Sequence, residues 1–343
     1  MLKRLLAAVL PRASTAAPNA QAVANAMATL DHFMPVPMHW FEGSLLPVPD
    51  WNRIAAEEPA DAAEAARHDW WTAAAGHWLL AMGRELDGDY RLRASADFLL
   101  LSSLPERPAQ VFLQFCQDVH RWILRNLGDI ATDAGHGKHV VMVFEDEDDY
   151  YRYISHYYPD EGEFAMSSGM FVHAGYGHFV MSRGGMEQMQ PTVAHELTHC
   201  LLSHLPIPAW LNEGLATNTE AALFPQLFAP SAQLYHPSEL ARKHADFWNA
   251  GTIQEFWSGK SFLRTDDGNL LSYDLARRIT GRAALAEERF RAFVRHAHQR
   301  DAGLGAEAHL GFPIADLITA MLGEGEWTPD PSRWHEGVER GQF

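Results

Sequence analysis

The sequence predicts an α+β fold: a small sheet over a helix that carries His195-Glu196-Leu197-Thr198-His199, a mostly helical C-terminal lobe, and a helical N-terminal extension. Three observations lead there. Apolar residues recur at helical spacing in several stretches of the chain, most clearly in 111–127. Apolar runs of strand length occur at 139–144, 170–173 and 178–181. Pro206 and Pro208, neither of which can continue a helical hydrogen-bond ladder, separate the helix around 195–199 from a second one starting near Ala209.

With 343 residues, 47% of them hydrophobic, the chain can bury a full core and divides by pattern into four stretches. These are a flexible segment over 1–30, a mostly helical extension over 31–130, a principal domain over 131–325 and a tail over 326–343. The formal charge of -17 argues against nucleic acid or an anionic membrane as partner, because phosphates would be repelled. The apolar run Leu5 to Leu10 stops at Pro11, short of a secretory h-region and far short of a bilayer span, which favours a cytoplasmic protein without an integral membrane segment. The Ala-rich stretch from Ala13 to Ala28 keeps export as the alternative. Cys116 and Cys200 fall in apparent helices and read as buried small apolar groups, not a bridge.

Taken in order, Met34-Pro35-Val36-Pro37 and Pro47-Val48-Pro49 give an extended arm packed on a surface. Ala55 to Arg84 is helical, with Trp70, Trp71, His77 and Trp78 read as a core stripe and not as a substrate platform. Val111 to Leu127 is a helix with Val111, Phe115, Val119, Trp122 and Ile123 on one face. His139 to Phe144 is a buried strand, and the acidic run Glu145 to Asp149 opens the helix that follows, where the macrodipole favours negative charge. Met170 to His173 and His178 to Met181 flank Gly175-Tyr176-Gly177 as a hairpin. After loops up to Asn269, the stretch 270–281 is a helix closed by a Gly281 C-cap, and 284–299 and 312–321 are further helices.

The chemistry concentrates in the centre. His195 and His199, four residues apart on a helix, project from one face about one turn apart and can share a metal ion. Glu196 lies roughly 100° round the helix, placed to hold a water on that ion as a general base without ligating it. The pattern alone arises by chance in roughly one chain in twenty of this composition, so the flanks decide. Met189 to Ala194 and Cys200 to Leu202 bury the helix, with Pro191 expected in its first turn. Hydrolytic zinc sites take three protein ligands, and Glu213, on an apolar second helix with Trp210, Leu211, Leu215 and Ala216, supplies the third.

The pair His195-Glu196-Leu197-Thr198-His199 and Trp210-Leu211-Asn212-Glu213-Gly214-Leu215-Ala216 resembles the gluzincin zinc metallopeptidases, the superfamily of the thermolysin and aminopeptidase N lineages. The resemblance spans roughly residues 139–285, and the thirteen residues between His199 and Glu213 are closest to the compact peptidase MA-like domains. A metzincin is excluded by Leu202 and Leu205, which stand where that pattern needs Gly and His. The resemblance implies a zincin-like core, a Zn2+ cofactor held by His195, His199 and Glu213, Glu196 as base, and a peptide or protein substrate. It further implies that a strand just upstream of the zinc helix binds substrate backbone, and that Tyr273 donates to the oxyanion, with Tyr176 as competitor. Two departures stand out. The G-x-M-E-N segment of aminopeptidases is absent, and Thr217, a weaker hydrogen-bond partner, occupies the place of an aspartate that orients a zinc histidine, so that either Glu220 one turn on takes over or zinc is held less firmly. The alternative function is a non-catalytic zinc-binding scaffold that keeps the same core.

Overall fold

The central strand explains the sheet. His139–Phe144 (β3) is apolar after its first residue because it is flanked on both sides by parallel partners and covered on both faces. In a computed structural model that describes residues 33–157 and 169–334, the strands are β1 (Arg91–Ala94), β2 (Phe98–Ser102), β3, β4 (Gly169–Val172) and β5 (His178–Ser182). Their order is β1-β2-β3-β5-β4, with the edge strands β1 and β4 antiparallel to their neighbours. Parallel pairing of β2 with β3 requires a crossover, and the helix Glu106–Leu127 (α3) lies between them in sequence.

The chain divides into two units, one of residues 33–122, 133–157 and 169–200 and the other of 123–132 and 201–334. The first holds the sheet with helices Trp51–Ala56 (α1), Glu64–Glu85 (α2), most of α3, Glu147–Ile154 (α4) and most of Met186–Leu202 (α5). One sheet face turns Leu99, Leu101, Val140, Met142, Phe144 and Val180 into a core shared with Trp51, Trp70, Trp78 and Met82. Trp78 donates its indole N–H to the Pro47 carbonyl at 3.1 Å, which pins the proline-rich arm, whose Val36, Leu46 and Val48 are buried. The tryptophan stripe is therefore core, as its helical spacing predicts. Strand alternation sends Phe98, Leu100, Val141, Val143 and Phe179 to the opposite face. There α5 approaches β4 at Gly169, where a Cβ would stand 2.7 Å from Thr192 Cγ2.

The second unit contains only helices among its described residues: Ala209–Leu223 (α6), Pro237–Phe247 (α7), Thr252–Trp257 (α8), Asp267–Ala283 (α9), Glu287–His296 (α10), Glu307–Leu310 (α11), Ala315–Leu322 (α12) and short 3-10 turns. Trp210, Phe256, Trp257, Leu275, Ile279, Phe293 and Ile318 form its core. Among the described residues no helix is long and apolar enough to cross a membrane.

Several expectations need correction. Residues 91–102, expected within a helical extension, are β1 and β2, so the sheet takes strands from both sides of residue 130. On α3 the buried face includes Phe112, Leu113, Cys116, Val119, Trp122 and Ile123, so Val119, Trp122 and Ile123 are buried as expected while Val111 is exposed and Phe115 half-buried. Helix α9 runs through Gly281 to Ala283 instead of stopping there, since its packing outweighs a glycine's weak helix propensity. Within the expected tail, Trp327 is buried and its carbonyl accepts the Trp257 indole N–H at 2.8 Å. The acidic run does open a helix: Asp146 caps α4 by accepting the Asp148 N–H. Both cysteines are free thiols. The expectations for residues 1–30 lie outside the described residues, as do those for 335–343 of the tail.

Candidate metal centre

Helix α5 carries the two histidines and the glutamate between them. It is held by buried Met189, Val193, Ala194, Leu197 and Leu201, and the Thr198 hydroxyl bonds back to the Ala194 carbonyl at 2.8 Å. It begins at Met186, so Pro191 lies inside the helix and not in its first turn. A proline there leaves one carbonyl of the preceding turn without its helical donor, a loss confined to the N-terminal end and remote from His199. The His195 and His199 rings stand 4.7 Å apart, centroid to centroid, at 79°. His199 is buried and His195 half-buried.

Glu196 is placed by the sheet. Its Oε2 accepts the Phe171 backbone N–H at 2.8 Å. Phe171 sits on β4 opposite Phe179 of β5, and a strand amide given to Glu196 points away from the neighbouring strand. The carboxylate is therefore fastened to the outer edge of the sheet's edge strand.

Glu213 is placed by the packing of α6. Trp210 anchors the helix, its ring against Trp257 and Phe293 and its N–H on the Ala302 carbonyl at 3.0 Å. Gly214 permits close contact with α9, where a Cβ would meet Thr280 Oγ1 and stand 2.7 Å from the Ala276 carbonyl oxygen. Asn218 Nδ2 ties the pair by donating to Gly214 O at 2.6 Å and Arg277 O at 2.8 Å. Glu213 is 4% exposed. His195, His199 and Glu213 form a group whose ligand atoms all lie within 4.8 Å of one another, a set that could hold a metal ion. His204, five residues beyond His199, is exposed and not part of it.

The remaining expected residues fall as follows. Thr217 is buried, and its hydroxyl has no hydrogen-bond partner among the described residues. Tyr273 is half-buried on α9, edge-on to Phe262 at 5.2 Å between centroids. Tyr176 does not reach over a cleft. Its ring packs on Trp51 and Trp71, its hydroxyl donates to the Lys138 carbonyl, and burial pushes its phenol far above the ordinary tyrosine range. It belongs to the core of the sheet unit.

Two features had no sequence signal. The Phe171 amide is a backbone group, so nothing in residue identity marks it. His120, Asp133 and His139 form a second group whose ligand atoms lie within 4.8 Å of one another, at spacings of 13 and 6 residues that match no local motif. Comparison of the chain with protein-family models, with curated proteins and with solved structures finds no match.

Proposed function

We propose that the chain is a zinc-dependent peptidase with a zincin-like core, in which His195, His199 and Glu213 hold the metal and Glu196 is the general base. The observation that carries this reading is the convergence of two imidazoles and a buried carboxylate, with a non-ligating glutamate next in sequence to one of the histidines. The residues fit the ion. Two imidazole nitrogen donors and one carboxylate are a hydrolytic zinc ligand set.

A bound zinc ion supplies Lewis acidity, polarising a carbonyl and acidifying water. The protein supplies the rest. Glu196, held by the Phe171 amide, stands one residue from His195 with a carboxylate that takes a proton from water and hands it to the departing amine. Edge strand β4 offers a backbone against which an extended peptide can align, beside the same glutamate. Tyr273 is assigned as the donor to the developing oxyanion.

The rival reading, a non-catalytic metal-binding scaffold, draws on one observation: the Glu196 carboxylate is engaged by the Phe171 amide, as a structural group would be. Hydrolysis of casein by zinc-loaded protein, with zinc content measured alongside, separates the two. The peptidase reading expects cleavage by the parent chain and, in Glu196→Gln, full zinc content with turnover lowered by at least 10². Activity of Glu196→Gln within tenfold of the parent removes Glu196 as base. A zinc-loaded parent that leaves casein intact favours the scaffold.

A further inference from the structure

We propose that His120, Asp133 and His139 form a second divalent transition-metal site, inside the sheet unit and separate from the centre on α5. His120 comes from the buried side of α3, Asp133 from the loop that follows, and His139 from the first position of β3. Asp133 receives both histidines on different oxygens: His120 Nε2 is 3.0 Å from Oδ2, and His139 Nε2 is 2.9 Å from Oδ1. The two rings stand 5.0 Å apart at 65°.

Those separations suit ligands of one ion. Zinc bonds of roughly 2.0–2.2 Å to nitrogen and oxygen, opened to between 90° and 109°, put neighbouring ligand atoms about 2.8–3.6 Å apart. A hydrogen-bonded His-Asp-His bridge would have similar distances, and the direction of approach distinguishes the two. His120 is 4% exposed, yet neither of its ring nitrogens makes a hydrogen bond among the described residues. The Asp133 oxygen lies within reach of Nε2 but off the line along which a ring N–H would donate. A buried imidazole left so forfeits the free energy of an unmet polar group, and an ion held at Nε2 would satisfy that nitrogen.

The surroundings are those of a metal site. His139 turns its other nitrogen, Nδ1, to Cys200 Sγ at 3.8 Å, a partner that leaves the Nε2 lone pair facing Asp133 when Nδ1 carries the proton. Phe98 walls the pair, 5.8 Å from the His120 ring and 5.1 Å from the His139 ring. Asp133 is half exposed, which gives an ion a path in and leaves room for water as a further ligand. Imidazole donors select zinc, nickel or copper over calcium or magnesium. The ion would join α3 to the start of the central strand, so its role is to stabilise the sheet unit.

The test uses the full chain stripped by chelator and titrated with ZnCl2, reading zinc per chain by elemental analysis after dialysis and the melting temperature in parallel. The double variant His195→Ala/Glu213→Ala removes the centre on α5, so a failure of that assignment cannot be confused with a failure of this one. The proposal expects the double variant to retain about one equivalent of zinc and to melt higher with zinc than without. Adding Asp133→Asn should remove both effects. A folded double variant that binds no zinc overturns the proposal, and so does a triple variant that binds as much as the double. Should the double variant not fold, Asp133→Asn alone must lower the parent's zinc content by about one equivalent, and an unchanged content is the contrary result.

Discussion

Gly214, directly after the candidate ligand Glu213, gives the sharpest test of how α6 is held. A mid-helix Gly→Ala change ordinarily stabilises by about 1 kcal/mol through helix propensity. Here the added Cβ meets Thr280 Oγ1 and stands 2.7 Å from the Ala276 carbonyl oxygen. The threonine can rotate, but a helix carbonyl cannot, so α6 must retreat from α9 by several tenths of an ångström. That overpacking costs roughly 1–3 kcal/mol, and the retreat stretches the hydrogen bond from Asn218 Nδ2 to the Arg277 carbonyl across the same crossing, worth about 1 kcal/mol. The clash wins: a net loss of about 2 kcal/mol, lowering Tm by roughly 4–8 °C. Gly281→Ala, on the other helix, is the paired control. Its Cβ would meet only the end of the Asn218 side chain, at 3.1 Å, so propensity dominates and Tm should hold or rise. Differential scanning calorimetry of both variants decides the matter. A Gly214→Ala protein as stable as the parent, or a Gly281→Ala protein equally destabilised, refutes the reasoning.

Two further outcomes follow from the same structure. Burial lowers the pKa of His178 from 6.5 to about 4, with Tyr153 Oη 2.6 Å from Nε2 and the Tyr176 carbonyl 2.7 Å from Nδ1. Above pH 6.5 the imidazole is neutral folded or unfolded and stability is full. Between pH 6.5 and 4 the unfolded chain takes the proton first, so up to about 3 kcal/mol is lost across that window. Urea titrations at several pH values should show this slope in the parent and a flatter one in His178→Gln, and equal slopes would remove His178 as the cause. For the proposed oxyanion donor, Tyr273→Phe should lower kcat by roughly 10²–10³ on casein, whereas near-full kcat would dismiss Tyr273 from the reaction.

The two motif helices and the strands on either side of Tyr176 were legible because each carries a local signature: i,i+4 histidines, a proline-marked break, apolar runs about a glycine turn. Strands β1 and β2 were not. Arg91–Ala94 alternates polar and apolar over only four residues, too short a run to mark a strand, and Phe98–Leu101 is a four-residue apolar run that periodicity cannot distinguish from a helical turn; only pairing with β3 makes it a strand. Tyr176 misled for a related reason, since a residue beside two glycines reads as a turn tip, yet tertiary packing on Trp51 and Trp71 pulls it into the core. The site split the same way. Glu196 was legible as a residue, but its partner is a backbone amide on an edge strand, and the His120, Asp133 and His139 group comes from three separate segments that only the fold brings together.

The most direct measurement of the central claim is anomalous diffraction at the zinc edge from crystals of the zinc-loaded protein. The account predicts a peak about 2.0–2.2 Å from one imidazole nitrogen each of His195 and His199 and from a carboxylate oxygen of Glu213, with Glu196 outside bonding distance. A zinc-loaded crystal with no peak among those three side chains, or with Glu196 bonded in place of Glu213, would contradict it.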